Sequence, residues 1–186
     1  MVTRAVFLDR DGVLNANVER DGRPVAPTRL EDFRLLPGVA ASVKRLKAAG
    51  FLIVVATNQP DIANGRSTWN LLNAMHDVLC KSVAIDDIRV CPHVDTDGCE
   101  CRKPRAGMLL SAAVTHGIEL GKSYMVGDRW RDIYAGRAAG CCTILLSRDD
   151  LSGSTNCQPD FVAATLHEAV DVIARHAGIS IPEVGT

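Results

Sequence analysis

Two aspartates separated by a single residue, Asp9 and Asp11, are the side chains of this sequence best placed to do chemistry. They follow the apolar run of residues 5–8 and precede Gly12. Because side chains alternate faces along an extended chain, both carboxylates can point the same way at the end of a strand. Paired acids beside a glycine predict a site for Mg²⁺ and phosphate, whereas the alternative is a strand end capped by solvated acids.

Two further apolar runs also end in polar residues. Thr57 follows residues 51–56 and Asp128 follows residues 123–127, while Lys103 lies in the loop between them. A threonine hydroxyl can donate to a phosphoryl oxygen, a lysine supplies positive charge, and a third carboxylate suits Mg²⁺, which prefers a few carboxylate oxygens with water and phosphate. These residue types favour a phosphate site over a structural strand end.

The charges of a phosphate ester determine what such a site must contain. A carboxylate that attacks a phosphate monoester is repelled by it, so it needs a divalent cation and donors around the phosphoryl oxygens. We predict that Asp9 is the nucleophile and forms a covalent aspartyl phosphate. Asp11 is placed to protonate the leaving alcohol and then to activate water, which is general acid/base catalysis.

A second constellation lies in residues 91–101 and has the spacing C-x-H-x5-C-x-C. Three thiolates and one imidazole match a closed tetrahedral zinc site, which is structural because no position is left for water. The alternative is a group of reactive or buried cysteines that happen to lie close together. The predicted ligands are Cys91, His93, Cys99 and Cys101.

The predicted zinc loop, about 91–103, ends in two cations. Zinc would stiffen this loop and hold Arg102 and Lys103 against the site, and a preorganised cation stabilises charge better than a mobile one. We predict that Arg102 binds a second, non-reacting phosphate of the substrate, because a guanidinium fork matches phosphate geometry. A salt bridge within the loop is the alternative.

Composition excludes several classes of protein. The chain has 186 residues, of which 47% are hydrophobic and 23% charged, with a formal net charge of −1. This predicts one domain, 1–186, with a flexible tail at 178–186, and we expect a monomer. Because the charges are scattered, binding to nucleic acid or to an anionic membrane is disfavoured. No apolar run is long enough for a membrane span or a signal peptide, so we expect the cytosol.

The elements that must position these residues alternate along the chain. Strands that are apolar throughout and separated by helices predict a doubly wound, Rossmann-like α/β fold with a parallel sheet covered on both faces. Ligands bind beyond the carboxyl ends of the strands in such sheets. Two long loops, at 15–37 and 92–105, are expected to be either functional or disordered. The predicted strands are 5–8, 51–56, 88–91, 123–126, 142–146 and 161–163, and the predicted helices are 39–47, 68–79, 106–116, 129–139 and 166–176.

Four short motifs follow one another along the chain. Together they resemble the haloacid dehalogenase superfamily of phosphatases, specifically its zinc-loop branch. The resemblance covers about residues 4 to 150 and implies a domain without a large cap. It implies Mg²⁺ held by Asp9, the main-chain carbonyl of Asp11 and Asp128, with Thr57 and Lys103 stabilising the phosphoryl group. The motifs are D9-R10-D11-G12, T57-N58-Q59, R102-K103-P104 and G127-D128-R129-W130-R131-D132.

The same resemblance implies which residues face the substrate, a small phosphorylated sugar. Arg129, where relatives often have lysine, can face either phosphate or solvent. Asn64 stands where the branch has arginine, so the contacts of that arginine are not carried over. The residues implied to line the sugar-facing side are Asn17, Val18, Glu19, Arg20, Asn58, Gln59 and Pro60.

The branch contains phosphatases of heptose 1,7-bisphosphate and of histidinol phosphate. The five residues between His93 and Cys99 resemble the histidinol-phosphatase loop, whereas Asn15 and the run 57–65 resemble the heptose enzymes. We expect removal of the C7 phosphate of D-glycero-D-manno-heptose 1,7-bisphosphate, a step toward nucleotide-activated heptose. Two alternatives stay open, a histidinol-phosphate phosphatase and a zinc-loop interaction protein without turnover.

Overall fold

The structure is a computed structural model that describes residues 2–147 and 157–181. Each strand and helix predicted from the sequence is present, with ends displaced by at most three residues. The strands are β1 (Arg4–Leu8), β2 (Val18–Arg20), β3 (Arg23–Val25), β4 (Phe51–Asn58), β5 (Asp87–Cys91), β6 (Tyr124–Gly127), β7 (Cys142–Leu146) and β8 (Phe161–Ala163). The helices are α1 (Val39–Ala48), α2 (Trp69–Ser82), α3 (Gly107–His116), α4 (Trp130–Ala139) and α5 (Leu166–Ala177).

Six of these strands form one parallel sheet in the order β5-β4-β1-β6-β7-β8. Alternate side chains of β1 enter two different cores. Val6 and Leu8 pack in the core that includes α1 and α5, whereas Ala5 and Phe7 pack in the core that includes α3. A strand that is apolar at every position is therefore buried on both faces, and the doubly wound α/β prediction is confirmed.

The strand order changes direction beside β1. The chain runs outward from β1 to β4 and β5, then crosses to β6 and continues to β7 and β8 on the other side. The main-chain N–H of Asp9 donates to the carbonyl of Val126, at 3.0 Å, which holds the ends of β1 and β6 together. The crevice at such a reversal is where ligands of open α/β sheets bind. Asp9 and Asp128 lie at its two sides.

The loop predicted at 15–37 contains an antiparallel hairpin, β2–β3, that the sequence pattern did not reveal. Its strands have three residues each and include charged residues and Pro24, so no apolar alternation marks them. The turn signal was present, however: Asp21 and Gly22 both have positive φ, 53° and 69°. A two-residue Asp-Gly turn with both φ positive is the preferred connection of a hairpin.

Two further expectations concern the C-terminal tail and membrane-spanning helices. Of the tail predicted at 178–186, residues 182–186 lie outside the described residues, while Ile179 and Ile181 pack against the larger core. Within residues 2–147 and 157–181, none of the helices combines the length and the apolar character that a bilayer crossing requires.

Candidate active site

Lys103 is the centre of a buried charge cluster at the carboxyl edge of the sheet. Its Nζ lies 2.9 Å from Asp9 Oδ1 and 2.5 Å from Asp132 Oδ1, and the lysine side chain is only 2% exposed. Burial acts to lower the pKa of Lys103, but the negative charges of Asp132 and Asp9 outweigh it and raise this pKa above its usual value. Lys103 is therefore a permanent cation beside Asp9.

The backbone of Lys103 is held by Asn58, the last residue of β4. Asn58 Nδ2 donates to the carbonyl of Lys103 at 3.0 Å, and its Oδ1 accepts from the Lys103 N–H at 3.1 Å. The sequence predicts Asn58 on the sugar-facing side, and this pair of hydrogen bonds gives it a second role, in which it fixes the backbone of Lys103. The end of β4 thereby orients the backbone of Lys103, which lies in the loop after β5.

Asp9 has one carboxylate oxygen held and the other open. Oδ1 accepts from the main-chain N–H of Arg10 at 2.7 Å and pairs with Lys103, while Oδ2 accepts no hydrogen bond from the described residues. Burial raises the pKa of Asp9 to about 8, since Lys103 offsets only part of the penalty and nearby carboxylates add to it. An additional cation would favour the ionised carboxylate.

A divalent cation fits between Asp9 and Asp128. Carboxylate oxygens of Asp9, Asp128 and Asp132 all lie within 4.8 Å of one another, against the single ammonium of Lys103. Asp128 Oδ1 is buried and accepts no hydrogen bond from the described residues, and burial, with the Asp132 charge, raises the pKa of Asp128 to about 6. Lys103 and the Arg129 guanidinium, whose Nε lies 3.8 Å from Asp128 Oδ1, face three carboxylates. The remaining negative charge is of the kind that hard oxygen-seeking cations such as Mg²⁺ neutralise.

Asp132 has a different task from the other two carboxylates. Its Oδ1 pairs with Lys103, and its Oδ2 accepts from the main-chain N–H of Arg129 at 3.0 Å, which caps the first turn of α4. Both oxygens are thus engaged by the protein. Asp132 orients Lys103 and the helix start, while Asp9 and Asp128 keep an oxygen for a cation.

Asp11 sits in a buried network beside Asp9. Arg10, which is completely buried, donates from Nη2 to both carboxylate oxygens, at 2.9 and 3.1 Å. Asn15 Nδ2 donates to Oδ1 at 2.9 Å, and Gln59 Nε2 donates to Oδ2 at 2.7 Å and to the Thr57 hydroxyl at 3.0 Å. With Arg10 Nε, which also donates to Oδ1, the Asp11 carboxylate accepts five hydrogen bonds from the side chains of Arg10, Asn15 and Gln59. It is separate from the carboxylates of the cation cluster.

The network extends to His76 on α2. Nε2 of His76 lies 3.3 Å from Nη1 of Arg10. Since a guanidinium can only donate, Nε2 must accept, and the imidazole carries its proton on Nδ1. Burial, together with the Arg10 charge, lowers the pKa of His76 to about 4. This neutral histidine is one of the supports of Arg10.

The four predicted zinc ligands form a compact cluster. Cys91 Sγ lies 3.7 Å from Cys99 Sγ and 3.6 Å from His93 Nδ1, and Cys101 Sγ lies 3.5 Å from Cys99 Sγ and 3.3 Å from His93 Nδ1. A tetrahedron with zinc–sulfur bonds of about 2.3 Å has edges of about 3.8 Å. Burial raises the pKa of Cys91, and bound zinc would compensate that cost by stabilising the thiolate. The donors therefore fit zinc.

An open cavity of about 530 Å³ lies over this charge cluster. Among the predicted substrate residues, Asn58, Pro60, Arg102 and Arg129 line it together with Asp9, Asp11 and Lys103. Asn17 lines a neighbouring cavity and donates to Asp128 Oδ2 at 3.4 Å. Val18, Glu19 and Arg20 of β2 do not line the main cavity, whereas Val25, the last residue of β3, and the following Ala26 do.

The sequence did not reveal that Arg131 shares the carboxylate of Asp95 with Arg102 at the cavity. Arg102 does form a loop salt bridge, with Nε 2.7 Å from Asp95 Oδ1, and Arg131 of α4 donates to both oxygens of the same carboxylate. Arg129 turns toward the hairpin and donates to the carbonyl of Pro24 at 3.0 Å. Arg131 was visible in the sequence only as a charge in the motif that follows Asp128.

Comparison with known proteins connects this site to a family. A family model described as HAD-hydrolase-like matches residues 100–169. The D-glycero-D-manno-heptose-1,7-bisphosphate 7-phosphatase of Thermosynechococcus vestitus is 38% identical over 92% of this chain and 96% of its own length. The chain belongs to the heptose-1,7-bisphosphate 7-phosphatase family. The Escherichia coli K12 member, named for the beta-D-manno substrate, is 37% identical over 77% of this chain and 78% of itself.

Family membership extends to the fold as a whole. The crystal structure of the Bordetella bronchiseptica D,D-heptose 1,7-bisphosphate phosphatase, complexed with magnesium and phosphate, matches with a TM-score of 0.79 and 32% identity. The matched region covers 94% of this chain and 100% of the Bordetella bronchiseptica chain. The resemblance inferred from the four motifs is confirmed, and the chain has the fold of the heptose bisphosphate phosphatase family.

Proposed function

We propose that this protein is a Mg²⁺-dependent phosphatase that removes the C7 phosphate of D-glycero-D-manno-heptose 1,7-bisphosphate. The observation that carries the proposal is Asp9, a buried carboxylate with one free oxygen that faces an open cavity beside a permanent cation, Lys103. The names and coverage of the relatives support the choice of substrate.

Asp9 and Asp128 would hold Mg²⁺, joined by the main-chain carbonyl of Asp11. Bound there, Mg²⁺ supplies positive charge to the phosphoryl oxygens and favours the ionised form of Asp9. Lys103 and the Thr57 hydroxyl stabilise the charge on the transferring phosphoryl group. Asn58 and Asp132 keep Lys103 in place, so that this cation costs no reorganisation during the reaction.

The reaction has two steps. An oxygen of Asp9 attacks phosphorus, the bond between phosphorus and the C7 oxygen breaks, and that oxygen takes a proton from Asp11. Water then attacks the phosphorus of the aspartyl phosphate while Asp11 takes its proton, which releases inorganic phosphate and restores Asp9. Asp11 must exchange the contact with Gln59 or Arg10 for one with the leaving oxygen, because both of its oxygens are engaged in the free site.

The zinc loop would act by holding the cations. Zinc bound by Cys91, His93, Cys99 and Cys101 closes the chain just before Arg102 and Lys103. Arg102 lines the cavity and is proposed to bind the phosphate that does not react, while Arg129 fastens the hairpin. Cysteines that bind zinc must stay reduced, so the proposed ligand set is compatible with a reducing compartment, and the cytosol remains the proposed location.

The test is release of inorganic phosphate with Mg²⁺ from each anomer of the heptose bisphosphate, since the relatives are named for alpha and beta substrates alike. We expect wild-type turnover on at least one anomer, faster than on histidinol phosphate. Asp9→Asn should abolish it, whereas Asp77→Asn, at an exposed position of α2, should leave it unchanged. Wild-type turnover no higher than that of Asp9→Asn on both anomers would refute the proposal.

A further inference from the structure

Two arginines from separate parts of the chain converge on one carboxylate at the mouth of the cavity. Arg102, from the zinc loop, places Nε 2.7 Å from Asp95 Oδ1, and Arg131, from the first turn of α4, places Nη1 and Nη2 at 3.0 and 3.2 Å from Oδ1 and Oδ2. Both guanidiniums line the same cavity as Asp9. Arg102 and Arg131, bridged by Asp95, form an arginine pair.

Each guanidinium is fixed by more than the shared carboxylate. Arg102 Nη1 donates to the carbonyl of His93 at 3.0 Å, which anchors it to a predicted zinc ligand, and its side chain is 12% exposed. The Arg131 guanidinium lies 5.2 Å from the centre of the Trp130 ring. Arg102 Nη2 and Arg131 Nε have no hydrogen-bond partner among the described residues, so donors remain for a ligand.

Asp95 itself is a weak competitor for these donors. Its side chain is 62% exposed, and exposed ion pairs contribute little because water screens them. A phosphate monoester carries up to two negative charges and three terminal oxygens, so it outcompetes a single solvated carboxylate for two guanidinium forks. Asp95 aligns the arginines in the free protein and can be displaced from them.

We propose that Arg131 is a specificity-determining residue that, with Arg102, binds the non-reacting phosphate of a sugar bisphosphate. This rests on the proposed function, because it requires a substrate with a second phosphate. Lys103 directly follows Arg102 and pairs with Asp9, so the reacting phosphoryl group and the arginine pair occupy adjacent parts of one cavity.

The test compares heptose 1,7-bisphosphate with heptose 7-phosphate, which has no second phosphate. For Arg131→Gln we expect the KM for the bisphosphate to rise about tenfold, or about 1.4 kcal/mol, while kcat and the KM for the monophosphate change less than about twofold. Arg131→Lys keeps the charge without the fork and should lie between. Arg137→Gln, on the exposed side of the same helix, is the matched control and should change neither KM.

The possible outcomes separate the inference from the proposed function. Equal increases of KM for both substrates, or no increase for either, would refute the role of Arg131 while wild-type turnover of the bisphosphate stands. Absence of wild-type turnover would refute both. If Arg131→Gln unfolds at the same temperature as the wild type, the variant is folded. A selective rise of the KM for the bisphosphate then supports binding of the second phosphate by Arg131 and Arg102.

Discussion

The neutral histidine behind the active site makes a testable prediction about stability and pH. His76 is 9% exposed, accepts from Arg10, and has its pKa lowered from 6.5 to about 4 by burial and the Arg10 charge, with the carboxylates of Asp11 and Asp77 acting weakly in the other direction. Above pH 6.5 the imidazole is neutral in both the folded and the unfolded chain, so it has no effect on the pH dependence of stability.

The effect appears as the pH falls below 6.5. His76 of the unfolded chain then becomes protonated, whereas His76 of the folded chain stays neutral until about pH 4. Folding therefore releases a proton and becomes less favourable as the pH falls. Each pH unit of this difference is worth about 1.4 kcal/mol, which gives a loss of about 2 kcal/mol between pH 7 and pH 5.

The measurement is the free energy of unfolding in denaturant at pH 7 and pH 5, for the wild type and His76→Gln. Glutamine can still accept from Arg10 through Oε1 but does not titrate. Other buried groups, including Asp9 and Asp128, titrate in both proteins and cancel in the comparison. We expect the wild type to lose about 2 kcal/mol more than the variant over this range.

A matched substitution at an exposed histidine controls for the loss of an imidazole in general. His167 on α5 has a side chain that is 53% exposed, and His167→Gln should keep the wild-type pH dependence. If His76→Gln and the wild type lose equal stability between pH 7 and pH 5, His76 is not held neutral and the proposed support of Arg10 is wrong.

Three further predictions concern the site itself. Gly12 has φ of 87°, and a Cβ there would clash with Asp128 Oδ2, so Gly12→Ala should raise the Mg²⁺ concentration for half-maximal activity about tenfold or more. Gly22→Ala shares the positive φ but meets no atom within 4 Å, and an equal Mg²⁺ effect there would contradict the clash. Asn58→Ala frees the backbone of Lys103 and should lower kcat about 10²-fold, whereas Asn73→Ala on the exposed face of α2 should not; unchanged kcat would exclude a positioning role. Cys101→Ser should reduce the zinc content from about one per chain, measured by metal analysis, while Cys80→Ser should not; full zinc in Cys101→Ser would disprove the ligand set.

The secondary structure was predictable because its signals are local. The apolar runs mark strands buried on both faces, and Gly50, Gly117 and Gly140 follow the ends of α1, α3 and α4. The hairpin β2–β3 was not predicted, since strands of three mixed residues contain no period long enough to detect. Its Asp21-Gly22 turn was the remaining signal.

The candidate site was predictable where one short segment contains it. The four zinc donors lie within eleven residues, so their spacing alone was sufficient to group them. The roles of Asn58, Asp95 and Arg131 were not predictable, because each depends on a partner 36 or more residues away. Arg131 reaches Asp95 only because α4 begins beside the zinc loop.

The sequence by itself determined the chemical groups, their order and their positions at strand ends. Parallel strands bring their carboxyl ends to one edge of the sheet however far apart they are in the chain, which is why Asp9, Thr57 and Asp128 could be expected together. Only the tertiary structure decided which groups pair: Lys103 with Asp9 and Asp132, and Asp11 with Arg10, Asn15 and Gln59. Those pairings depend on strand register and helix docking, which arise from packing over the whole sheet and leave no local pattern.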